Sequence, residues 1–429
     1  MAEYLEIYGG TPLRGAVKVS GAKNGALPLL IASLLSSEEV EYKNIPRLED
    51  IGVLLQLLEH FGAEVSRVGT TAKIKVANLR ATEASYSLVK ALRASFWVLA
   101  PLLARGGAAR VALPGGDIIG ARPVDIHLEA LSKMGADIVV KHGVVLASAP
   151  NGLKAAELDL RFPSVGATHQ ILMAASLTQG TTVIRGAAKE PEVAALAEMI
   201  NKLGGEVEGA GSSTIVVRGR EILGGGSIEI LGDRIEAATY ALATVATGGN
   251  VKISGFSPQH FGGFLDVLDK MGTGFAYDTD SITINMKGRP KPIHVTTAPF
   301  PEFATDIQAP LMAALAVGEG ESSITENMFE GRFAHVSELC RMGAQIQVHD
   351  RKAVITGVSQ LTGAPVDSFD IRAAAAVVIG GLTANGVSQV SEPQHLRRGY
   401  DSLVEKLTGL GARLSLRIAD PDDYVLTGC

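Results

Sequence analysis

LSKMGADIVVKHGVVLAS, residues 131–148, reads as a helix end, a glycine stop and a hairpin in direct succession. Leu131–Met134 close an amphipathic run, and Gly135 stands where a left-handed cap tolerates no side chain cheaply. DIVVK and VVLAS then alternate apolar and polar residues about His142-Gly143, the signature of two strands joined by a tight turn. The same reading recurs five times. It appears as LLEHFGAEV, INKLGGEV, VLDKMGTGF, LCRMGAQIQV and LTGLGARLSL, with glycines at 62, 204, 272, 343 and 411. Including Gly135, the six glycines are spaced 73, 69, 68, 71 and 68 residues apart, so the repeat spans nearly the whole chain.

Each repeat also holds a second helix that ends at glycine and leads into a strand, as in RIEAATYALATVATGG (234–249) before NVKISG, or TDIQAPLMAALAVGEG (305–320) before ESSITE. Two helices and about four strands in some 70 residues exceed a solenoid repeat and suit a compact βαβαββ unit with its helices buried inside a ring of sheets. A single core seldom grows past roughly 250–300 residues, so six such units predict two lobes of three. The expected fold class is therefore α/β (α+β), a two-lobed inside-out α/β barrel. Residues 21–230 form one lobe, with repeats one to three and the loop 113–125. Residues 1–20 and 231–429 form the other, with repeats four to six. Glu3–Gly10 reads as a strand that pairs with the last repeat, and the tail after Arg417 as the second strand of the sixth hairpin. A cleft between lobes is the default place for a small ligand.

Composition narrows the class of function. The 429 residues carry 39 Lys+Arg and 45 Asp+Glu, a net charge of −6, with 46% hydrophobic and 20% charged residues. Such a chain is globular rather than disordered, and its acidic balance argues against a general nucleic-acid binder. Aromatics are 5% while glycine numbers 49, which points to tight turns and small-residue packing. Two cysteines, Cys340 and Cys429, give no disulfide framework and suit a reducing cytoplasm. Cys340 falls in a helical run and reads as core. The start MAEY shows no export signal, and apolar runs such as Ala94–Ala104 are too short to span a bilayer. No membrane insertion is expected.

Charges fall at equivalent places in the repeats. The second helices begin at Lys23 and Asn24, Arg93, Ser164, Arg234, Thr305 and Asp306, and Asp370 and Arg372. Positions 23, 93, 164, 234, 306 and 372 are separated by 70, 71, 70, 72 and 66 residues. Ser164, Thr305 and Asp370, taken singly, read as ordinary N-caps. The cations do not, because positive charge at a helix N-terminus opposes its dipole. A bound anion would resolve that conflict, since the same N-termini and guanidinium groups bind phosphate and carboxylate. Loops before the first helices add Arg122, Arg332 and Arg398, which lie 13, 11 and 13 residues ahead of their glycines. The glycine-rich segment LPGGDIIGARPVD, 113–125, presents Asp117 on a lid able to bring a proton donor to a closing site.

Nine ordered stretches resemble one family. They are SGAKNGALP (20–28), LVKALRASFW (88–97), LPGGDIIGARPVDIH (113–127), SVGAT (164–168), KEPEV (189–193), LGDRIEA (231–237), TAPFPEFATDIQA (297–309), ENMFEGRFAHVSEL (326–339) and RRGY (397–400). From Ile7 to about Leu416 the chain resembles the UDP-N-acetylglucosamine 1-carboxyvinyltransferases, enolpyruvyl transferases that open peptidoglycan synthesis. The resemblance implies transfer of an enolpyruvyl group from phosphoenolpyruvate to the 3-hydroxyl of UDP-N-acetylglucosamine by addition and elimination, with phosphate released. It implies no metal and no organic cofactor. Lys23, Asn24, Arg122, Arg332, Arg372 and Arg398 would surround phosphoenolpyruvate. Asn24, Arg93 and Asp306 would meet the amino sugar, and Arg122, Pro123, Val124, Asp125, Ile126, Ser164, Val165, Gly166 and Met328 would line the nucleotide. Lys23, Arg398, Asp306 as base and Asp117 as acid would carry the chemistry.

The chain departs from the family pattern twice. Most members carry Cys where this chain has Asp117, so a carboxyl with an ordinary pKa near 3.9 replaces a thiol near 8.5 as proton donor. Fosfomycin, the epoxide that alkylates the family thiol, should then leave this chain untouched. At Phe162 the family often has Lys, and neighbouring Arg161 is the candidate replacement. The related transferase of the shikimate pathway is the nearest alternative, although RPVDIH and SVGAT do not look like its motifs. A non-catalytic nucleotide-sugar-binding paralogue is the alternative from another class. Oligomeric state is not readable from the sequence.

Overall fold

A cap geometry shared by all six repeats organises the computed structural model, which describes residues 3–84, 86–114 and 123–418. Gly62, Gly135, Gly204, Gly272, Gly343 and Gly411 all have φ between 76° and 104°. At each, the glycine N–H bonds the carbonyl three residues back, and the next N–H bonds the carbonyl five residues back, as Gly135 does to Ser132 (2.9 Å) and Ala136 to Leu131 (3.0 Å). This Schellman arrangement satisfies carbonyls that a helix end leaves open. Gly411→Ala meets no atom but must hold a left-handed φ of 91°, so it is expected to lower stability by about 1–2 kcal/mol. Gly52→Ala, in the interior of helix Glu49–His60 with open space around it, is expected to raise stability by about 0.4–1 kcal/mol. Urea unfolding of the two variants measures both signs.

The hairpins follow the caps. Asp137–Lys141 pairs antiparallel with Val144–Ser148 in the register Asp137↔Ser148, and His142 and Gly143 both take positive φ at the turn. There are six sheets among the described residues. Five have four strands, each with one parallel pair at one side and antiparallel neighbours beyond it. The sixth has three strands, and a parallel bridge between Glu83 and Arg110 stands where the fourth would lie.

The chain divides into two bodies. One comprises residues 20–84, 86–114 and 123–233, the other residues 3–19 and 234–418. Each has its own core, the first around Tyr42, Phe61 and Phe96, the second around Tyr240, Phe261 and Phe264. In the second body, helices Arg234–Ala246, Gln308–Ala316 and Ile371–Thr383 pack on one another. Every residue of Gln308–Ala316 is buried. A helix apolar on all sides is stable only when covered on all sides, and each Leu buried there contributes roughly 1.5–3 kcal/mol. Alanine and glycine allow the close approach: a Cβ on Gly381 would meet Ile7 Cδ1 at 3.0 Å.

Strand Glu3–Tyr8 lies in the middle of the last sheet, paired antiparallel with both Val387–Ser391 and Arg413–Ile418. It thus fills the second-strand place of the sixth hairpin, and the expectation that the tail would fill it is corrected. The tail itself, residues 419–429, lies outside the described residues. Cys340 also departs from its reading as core: it sits on an exposed face of helix Val336–Arg341, with Sγ 3.8 Å from the Ile346 carbonyl oxygen. Leu339, its neighbour, takes the inward position instead. Among the described residues, no helix is long and apolar enough to cross a membrane.

Candidate functional site

At the starts of the buried helices, Lys23 and Arg372 are matched by carboxylates of the protein itself. In the first body Lys23 opens helix Lys23–Ile31, and its Nζ lies 2.6 Å from Asp50 Oδ2. Both side chains are almost wholly buried. The Lys23 backbone N–H also donates to Asp233 Oδ2 at 3.1 Å. A buried ammonium needs such a partner, because desolvating it alone is prohibitively costly. Asp50 was missed in the sequence, where it passes for an acidic residue favoured in the first turn of a helix. Asn24 is half-buried beside Lys23.

In the second body Asp306 accepts from Arg332 Nη2 at 2.6 Å and from Arg372 Nη2 at 3.1 Å. Both arginines are buried, and Asp306 keeps about a quarter of its side chain exposed (26%). Burial by itself raises the Asp306 carboxyl, but the charges and hydrogen bonds of Arg372 and Arg332 outweigh it and hold the group well below the usual carboxylate range. Aromatic rings fix the guanidinium groups: Arg332 lies 5.4 Å from the Phe329 centroid and Arg372 5.7 Å from that of Tyr400. Arg372 Nη1 also donates to the Tyr400 hydroxyl at 3.3 Å, and that hydroxyl lies 3.0 Å from Thr239 Oγ1. Arg234 stacks on Phe300 at 5.5 Å. The conflict of cation and helix dipole is therefore met at Lys23 and Arg372 by internal carboxylates rather than requiring a bound anion.

The caps separate by type. Ser164 Oγ accepts from the Ala167 N–H at 3.3 Å, and Asp370 Oδ1 accepts from Arg372 and Ala373 at 2.7 and 3.0 Å. Both are N-caps. Thr305 caps nothing and donates to Glu326 instead. Arg398 lies in the last turn of a short helix, Gln394–Gly399, rather than in the loop expected for it. Arg332 lies in the turn before Val336–Arg341. Met328 is half-buried.

Near Gly166 the first body holds a neutral polar group. His127 Nδ1 pairs with Gln170 Oε1, and burial pushes His127 and His169 down to about 4. A Cβ on Gly166 would stand 2.8 Å from Trp97 Nε1 and 3.0 Å from His127 Cε1, so only glycine fits there. Arg93, half-buried at the start of Arg93–Val98, adds its charge to the causes that keep His127 uncharged. Val124, Ile126 and Val165 are half-buried nearby in sequence, while Pro123 and Asp125 are exposed. Arg161 is engaged with Asp125 and with Glu129 (3.2 Å), and Phe162 is exposed. Asp117 and Arg122 lie outside the described residues. Among those described, no cluster of His, Cys, Asp or Glu could hold a metal ion.

Known proteins give this geometry its setting. The profile of the family described as EPSP synthase (3-phosphoshikimate 1-carboxyvinyltransferase) matches residues 7–407. The solved structure of the enolpyruvyl transferase NikO from Streptomyces tendae superposes with a TM-score of 0.88 at 26% identity, covering 98% of this chain and 100% of that one. An EPSP synthase from Acinetobacter baumannii superposes at 0.75 with 18% identity, covering 97% and 100%, which speaks for the fold alone. Curated relatives are nearer in sequence. UDP-N-acetylglucosamine 1-carboxyvinyltransferase of Methylorubrum populi is 47% identical over 421 residues, and that of Thermotoga petrophila 44% over 411, each covering 96% of this chain and 98% of the relative. With that identity along almost its full length, this chain belongs to the UDP-N-acetylglucosamine 1-carboxyvinyltransferase family, within the wider group of enolpyruvyl transferases.

Proposed function

We propose that this chain transfers the enolpyruvyl group of phosphoenolpyruvate to the 3-hydroxyl of UDP-N-acetylglucosamine and releases phosphate, the first committed step of peptidoglycan synthesis. The observation that carries the reading is the Asp306 carboxylate clasped by buried Arg332 and Arg372 at the start of a core helix, in a chain 47% identical to a transferase of that name. Phosphoenolpyruvate and the diphosphate are anions, and Lys23, Arg122, Arg332, Arg372 and Arg398 supply the cations, with Asn24 beside Lys23. Arg93, Asn24 and Asp306 meet the sugar; Arg122–Ile126, Ser164–Gly166 and Met328 line the nucleotide.

In the addition step Asp117 protonates C3 of the enol, the sugar oxygen attacks C2, and Asp306 takes the hydroxyl proton. In the elimination step C3 returns its proton to the Asp117 carboxylate, the double bond returns, and phosphate leaves with the C2–O electron pair and takes up the proton held by Asp306. A carboxylate held as low as Asp306 is a poor base. It becomes a better one when the anionic substrate draws a guanidinium away from it. The reaction is placed in the cytoplasm, a reading supported by the exposed thiol of Cys340. Incubation with phosphoenolpyruvate and either UDP-N-acetylglucosamine or shikimate 3-phosphate tests the proposal. Phosphate is expected only with the nucleotide sugar; release only with shikimate 3-phosphate overturns it, and binding without release favours the non-catalytic paralogue.

A further inference from the structure

Glu326 is a wholly buried carboxylate that the reaction above does not use. Its two oxygens serve different elements. Oε1 accepts from Thr297 Oγ1 (2.8 Å), the Met328 N–H (2.8 Å) and the Phe329 N–H (3.2 Å), while Oε2 accepts from Thr305 Oγ1 (2.8 Å). Thr297 Oγ1 in turn accepts from the Asn327 N–H at 2.9 Å. Thr305 immediately precedes Asp306, and the Phe329 ring carries the guanidinium of Arg332, which grips Asp306 at 2.6 Å. One buried side chain thus braces both partners of that ion pair, Asp306 through a threonine and Arg332 through the turn at 327–329.

We infer that Glu326 is a positioning residue, which sets the place of Asp306 through Thr305 and that of Met328 through its backbone. The inference rests on the proposed roles of Asp306 as base and Met328 as nucleotide wall. An acceptor-only carboxylate is suited to this, since all four groups facing it are donors. A neutral amide satisfies all four only if the Thr305 hydroxyl reverses from donor to acceptor. In Glu326→Gln the amide oxygen can keep the three bonds of Oε1, but its NH2 then confronts the Thr305 hydroxyl, which must turn. The variant therefore loosens the Asp306 arm and spares the turn.

Steady-state kinetics on the full chain, with thermal melting of each variant, separate the arms. Glu326→Gln is expected to lower kcat by about 10- to 100-fold, the effect of a misplaced base, with KM for UDP-N-acetylglucosamine unchanged. Thr305→Val should lose at least as much, and the double variant should be no worse than Thr305→Val alone, because both act on the same link. Glu326→Ala should raise KM as well. Wild-type kcat in Glu326→Gln and Thr305→Val, or losses that simply multiply in the double variant, would overturn the inference. Should Glu326→Gln not fold, Thr305→Val decides alone, since it leaves the other three bonds in place. An inactive wild-type chain would instead sink the proposed function itself.

Discussion

Asp306→Asn is expected to abolish most turnover and to weaken the fold at neutral pH at once. The kinetic loss is that of a general base, about 10²–10⁴ in kcat. The stability loss arises because two buried guanidinium groups, Arg332 and Arg372, lose the charge between them. Breaking a buried pair from one side costs up to about 3–5 kcal/mol, and the exposed quarter of Asp306 reduces it. The pH dependence carries a sign. Because the folded carboxyl is held low, its contribution is present above the unfolded value near 3.9 and fades as acid is added below that. His127, His169 and His335, which burial pushes down to about 4, act in a different window: they cost stability as pH falls from about 6.5 toward 4. Urea midpoints against pH should therefore fall in both windows for the wild type, with a smaller fall in the lower window for Asp306→Asn. A variant curve parallel to the wild type below pH 4 would show that the ion pairs are not closed in solution.

The second large effect is expected at Asp117. As general acid it must be protonated to work, so activity falls as pH rises through its pKa. Asp117→Asn should lose about 10²–10⁴ in kcat. Asp117→Cys should restore turnover and move the alkaline limb of the rate profile upward, toward the ordinary thiol value near 8.5. It should also become sensitive to fosfomycin, which the wild-type chain is expected to resist for want of a thiol in that loop. Cys340 is exposed, so peptide mapping must accompany any intact-mass change. Full activity in Asp117→Asn would remove the carboxyl from the acid role, and inactivation of the wild type through residues 113–125 would contradict the reading of the loop.

Glycine made the scaffold legible. A positive φ at a helix end leaves a strong trace in sequence, and six such traces at one spacing describe the hairpins and caps with no long-range information. The cations at helix starts were legible for the opposite reason, as violations of the dipole rule. Their partners were not. Asp50 and Lys23 are 27 positions apart, and Asp306 and Arg372 66 apart, so only the folded chain reveals each pair. The cations were therefore legible, while the carboxylates that face them were not. Glu326 does leave a trace in the sequence: in ESSITE the alternation places it on the same inward face as Ser322 and Ile324, an odd place for an unpaired carboxylate. Cys340 faces outward, against its expected place in the core, because helical periodicity does not state which stripe faces inward. The N-terminal strand took the place expected of the tail because a strand from either chain end completes a sheet equally well.

Incubating the chain with UDP-N-acetylglucosamine and phosphoenolpyruvate labelled with carbon-13 in the three-carbon unit, then recording the mass of the nucleotide sugar, tests the central claim most directly. The account predicts that the nucleotide sugar gains the labelled enolpyruvyl group, one for each phosphate released. Label that stays in phosphoenolpyruvate or appears only in free pyruvate, with the nucleotide sugar unchanged in mass, would contradict it.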